Sequence, residues 1–130
     1  MRSRVFLVAV AAVFIPVFAL PLFIEPVWWA ERFGWETEGA SDLTNYLGRC
    51  LGAVALAIAL VALRAARDPA AHPWLFDLLA LAAALLTVVH IRGAFEESQP
   101  ASEYVEIAMY AGFAALAWAC RPAPDDEAAA

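Results

Sequence analysis

LTNYLGRCLGAVALAIALVAL, residues Leu43–Leu63, decides how this chain folds. A bilayer core about 30 Å thick takes ~20 apolar residues of helix, and this stretch has that length. Its small and polar residues are not scattered. Asn45, Gly48, Gly52, Ala55, Ala59 and Ala62 recur at spacings of three and four, so they share one helix face. Gly48 and Gly52 form a G-x-x-x-G pair, and small residues let helix backbones approach closely where lipid surrounds them. Leu47, Leu51, Val54, Ile58 and Val61 fall on other faces and suit lipid. Gly48, Gly52, Ala55 and Ala59 are therefore the expected helix-packing residues.

Three more apolar stretches flank it, at Val5–Ile24, Trp74–Ile91 and Tyr104–Cys120. In the third helix Ala80, Ala83, Thr87, His90 and Ala94 repeat the small or polar seam. In the fourth, Glu103, Glu106, Tyr110, Ala114 and Ala117 form one stripe. The pattern predicts an all-α integral membrane protein, an antiparallel four-helix bundle filling residues 1–121 as one domain. Its helices are expected at about 5–24, 43–63, 74–91 and 104–120.

Composition agrees with that class. Hydrophobic residues make up 64% of the chain and the mean hydropathy is +0.69, above the usual soluble range. The net charge is −6 and the eight basic residues are all arginine, which leaves no basic patch for nucleic acid. Cys50 and Cys120 are expected near opposite membrane faces, too far apart for a disulfide. Arg2 and Arg4 ahead of Val5–Ile15 imitate a signal peptide. The apolar run continues through Pro16 and Pro21 to Ile24 without a small-x-small cleavage site, so it reads as a retained first helix. Both prolines should bend it.

Arg2 and Arg4, then Arg64 and Arg67, then Arg121 fall on one side if all four stretches cross. The positive-inside rule then puts both termini in the cytoplasm, in the inner (plasma) membrane. The outer loop 25–42 carries Trp28, Trp29 and Trp35 in PVWWAERFGWE and is expected to lie along the interface as an amphipathic segment, anchoring or docking. Residues 122–130 form an acidic tail expected to be disordered.

The ionisable residues gather in the outer half: Glu25, Arg49, His90, Arg92 and Glu106. A charge in hydrocarbon costs roughly 2.5–3.5 kcal/mol on insertion scales unless paired or wet. Arg49, about two turns into its helix, is expected to meet Glu106 or Glu25. The five residues form either a register-fixing ion pair or a polar pocket able to hold a lipid-like molecule and do acid–base work. His72 and His90 lie on opposite sides, and one histidine with carboxylates is a poor zinc set, so no metal and no cofactor is expected. Asp77 reads as structural, near a helix N-terminus.

With NYLGRCLGAVALAIALVALRAARDP in helix two and VVHIRGAFE ending helix three, residues 40–120 resemble the DoxX-like group of small bacterial membrane proteins. The residues carrying the resemblance are Arg49, Gly48, Gly52 and His90. It implies a four-helix membrane fold and, for some members, partnership with membrane-associated redox enzymes. The expected function is a non-enzymatic accessory or assembly subunit, with the bilayer and a membrane-protein partner or second copy around it. The alternative is an enzyme or binder for a lipid-like ligand. A transport path is disfavoured, because the midplane between Arg49 and Arg64, and between Asp77 and His90, holds only apolar or small residues plus Thr87.

Overall fold

The computed structural model describes residues 1–96, 100 and 102–123. The expected disordered tail lies, from residue 124 onward, outside the described residues. Five helices follow one another: α1 (Arg2–Ile24), α2 (Pro26–Arg32), α3 (Asp42–Ala65), α4 (Pro73–Phe95) and α5 (Glu103–Ala119). There is no strand among the described residues.

α1, α3 and α4 are long and apolar enough to cross a membrane. α5 has 17 residues and spans about 25 Å, the shortest of the four long helices. Only 17% of the apolar window of α3 and 22% of that of α4 is buried. Val54, Leu60 and Val61 on α3, and Leu81, Leu85 and Val88 on α4, point outward. An apolar surface that continuous is unsuited to water and matches contact with lipid.

Local chemistry sets the helix ends. α1 contains a π-helical turn at Ile15–Ala19, where Leu20 N–H reaches back to the Ile15 carbonyl. Pro21 has no N–H to give the Val17 carbonyl four residues earlier. The indole N–H of Trp29 donates to that carbonyl instead, at 2.7 Å. Glu25, extended at φ −137° as a residue before proline prefers, separates α1 from α2, and Pro26 starts α2. Gly34 at φ 88° turns the chain out of α2. Ser41 caps α3, its Oγ accepting from Thr44 N–H at 3.3 Å. α4 overruns its sequence-based end by one turn, because Arg92 pairs with Glu96 at 2.8 Å along the helix and Gly93 is buried.

Two antiparallel pairs result. In the first, Gly48 and Gly52 of α3 face the α1–α2 junction. A methyl at Gly52 would lie 2.7 Å from the Leu22 carbonyl carbon and from Phe23 Cα, and one at Gly48 would strike the Pro26 ring. In the second, Arg121 just after α5 grips Asp77 of α4 with two contacts, at 2.8 and 3.0 Å. The pair is half-exposed and worth roughly 0.2–1 kcal/mol. Both pairs share one core, with Phe6 and Leu7 of α1, Ala62 of α3, Leu75 and Phe76 of α4 and Ala117 of α5.

The Trp29 bond gives a measurable expectation. Trp29→Phe keeps the ring and loses the donor, costing about 1 kcal/mol. In a Pro21→Ala background the same change should cost less, because the backbone N–H restored at position 21 serves Val17. Unfolding of the four variants in mixed micelles closes this double-mutant cycle.

Candidate functional site

Because α4 and α5 run antiparallel, the end of one faces the start of the other. That brings His90 of α4 against Glu103 and Glu106 of α5, which occupy i and i+3 on one stripe, with Tyr110 next along it. His90 Nδ1 is hydrogen-bonded to Glu103 Oε2, and Nε2 lies 3.7 Å from Glu106 Oε2. A carboxylate only accepts, which makes Nδ1 the donor when Glu103 is ionised. The Tyr110 ring stacks on the imidazole at 4.9 Å with 10° between planes, fixing its orientation. Glu103 is 1% exposed and Glu106 7%. Among the described residues Glu106 Oε1 is buried with no hydrogen-bond partner, which costs about 1–3 kcal/mol and more if the group is charged.

This cluster lines a cavity of about 670 Å³, as do Glu36, Thr37, Glu38 and Thr44, and the volume is within the size range of small-molecule sites. The remaining wall is largely apolar: Phe14 and Phe18 beside the π-turn of α1, Leu51 and Ala55 of α3, and Leu86 of α4. The segment Trp35–Ala40 closes one side. Gly34 just before that segment and Gly39 within it are both at positive φ. Thr37 Oγ1 ties it to Glu31 at 2.7 Å, and Ser102 Oγ ties the α5 start to the Phe33 carbonyl at 2.8 Å.

Of the five residues expected to form the pocket, the structure brings His90 and Glu106 together. Glu25, Arg49 and Arg92 are exposed and stand apart. The expected ion pair of Arg49 with Glu106 or Glu25 does not form among the described residues. Gly48 points at Pro26, so its neighbour Arg49, about 100° further round the helix, faces outward. The tryptophans divide as well. Trp28 is exposed, Trp29 packs between Phe18 and Phe33 at 5.7 and 4.6 Å, and Trp35 lines the cavity. Ala55 lines the cavity, whereas Ala59 is buried.

Glu103 escapes a reading by apolar windows, since the fourth run begins at Tyr104. Its signal is the stripe it shares with Glu106 and Tyr110. Comparison with protein-family models, with curated proteins and with solved structures finds no match for this chain.

Proposed function

We propose that this protein is a multi-pass membrane protein that binds a lipid-like amphiphile, its tail along the apolar wall and its polar head at His90, Glu103 and Glu106. The observation that carries this reading is the cavity itself, apolar over most of its surface and lined in part by buried ionisable groups. Four crossing helices, with both termini and the Arg64–Arg67 turn in the cytoplasm, would set the cluster in the outer half of the membrane. The four-helix membrane fold in that arrangement is what the DoxX-like resemblance implies. An accessory subunit docking through the small-residue face of α3 is less favoured, because Phe23 and Pro26 already fill the space over Gly48 and Gly52.

Leu86→Trp tests the proposal by filling the cavity from a half-buried wall position. The wild-type protein, extracted in native nanodiscs, is expected to carry an amphiphile at fixed stoichiometry by native mass spectrometry. The variant should fold and lose at least about 90% of it, a tenfold change equivalent to roughly 1.4 kcal/mol. Identical lipid complements in the two proteins would overturn the reading.

A further inference from the structure

We propose that His90, Glu103 and Glu106 bind one divalent first-row transition-metal ion at the wall of the cavity they line. One ligand atom from each of the three residues can be chosen so that all lie within 4.8 Å of one another. An ion about 2.0–2.2 Å from each ligand holds them roughly 3–4 Å apart, so small side-chain rotations complete the set. The ligands come from the facing ends of two packed helices, and the i, i+3 carboxylates with a histidine opposite are a natural inward-facing donor arrangement for a helical scaffold.

Charge balance points the same way. Two buried carboxylates need compensation, because an uncompensated ion away from water is strongly unfavourable. The chain has no lysine, and Arg49 and Arg92, the arginines expected here, are exposed and turned elsewhere. A divalent cation with neutral His90 makes the site electroneutral. The second, independent observation is Glu106 Oε1. It has no partner among the described residues, its side chain is more than nine-tenths buried, and the residue lines the cavity.

The donor set selects the ion. One imidazole nitrogen and two carboxylates suit manganese or iron best and zinc less well, imidazole disfavours magnesium and calcium, and no thiolate is present to favour copper(I). Three protein ligands leave at least one coordination position for water or a bound molecule, which distinguishes this site from a closed structural one. The inference uses the same cavity as the proposed function but does not require the amphiphile.

The test uses the full chain in detergent, stripped with chelator, reloaded with Zn²⁺ or Mn²⁺ alone and desalted. Elemental analysis is expected to find about one ion per chain, and Zn²⁺ should raise the thermal midpoint by mass action. Glu106→Gln and His90→Gln should each weaken binding by at least about 100-fold, while Glu25→Gln should leave it unchanged. Glu106→Gln should also lack the Zn²⁺-dependent rise in midpoint while keeping its helical circular dichroism, which separates ligand loss from misfolding. A wild-type chain that retains no ion at micromolar metal, its carboxylates sharing a proton instead, would overturn the site. So would binding that survives Glu106→Gln. Ion binding without a co-purifying amphiphile would keep this site and remove the function proposed above.

Discussion

Gly52→Ala is expected to destabilise the protein by about 1–3 kcal/mol, although alanine is the better helix former. The added methyl would lie 2.7 Å from two backbone atoms of α1. Backbone cannot rotate aside as a side chain can, so α1 and α3 must separate along their contact. Gly112→Ala, on α5, provides the opposite sign. Nothing lies within 4 Å of its added carbon, so helix propensity alone acts and the variant gains up to about 1 kcal/mol. Thermal midpoints of the two purified variants, read by circular dichroism, decide the matter. Shifts in the same direction would show that close approach at Gly52 is not what holds α1 to α3.

The second large effect concerns the cluster. Glu103→Ala removes one partner of a buried pair and leaves His90 facing a cavity beside Glu106. Breaking such a pair costs about 3–5 kcal/mol when both members are charged. Replacing the whole set by apolar residues, with His90→Leu, Glu103→Leu and Glu106→Met together, should recover most of that loss, since no polar group is then stranded. Chemical unfolding in micelles would give both values. A triple variant that is stable yet binds neither ion nor amphiphile would identify the cluster as retained for binding. A triple variant as weak as the single would identify it as a fold determinant.

How much of this was legible in the sequence depends on what each residue needs to be understood. Spacing alone is enough for Gly48 and Gly52, because a helix face follows from its period. It cannot name what covers that face, which proves to be the α1–α2 junction. Depth and charge led to Arg49 as the partner of Glu106 or Glu25, but depth ignores direction around the helix axis, and Gly48 pointing inward turns Arg49 out. His90, Glu103, Glu106 and Tyr110 were all legible as polar members of seams, but Glu103, just ahead of the apolar run, was not counted among the pocket residues. Trp29 was legible only as an interfacial aromatic. Its bond to Val17 depends on a carbonyl that Pro21 leaves vacant in a different helix, and no local pattern records such a pairing.

The π-turn of α1 has the geometry of a one-residue insertion. Phe6, Val10, Phe18 and Leu22 are buried and Phe14 half-buried, a strict repeat of four. An unbroken α-helix turns about 100° per residue, so each step of four overshoots by roughly 40°. Across four such steps the last side chain would come round toward the opposite side from the first. The wider turn at Ile15–Ala19 absorbs about 100° of that drift and keeps the two halves of the helix on roughly the same side. Removing a single residue there would restore a plain α-helix and rotate one half by about 100° against the other. Changes of side chain in this segment are therefore tolerated far more readily than a change of length.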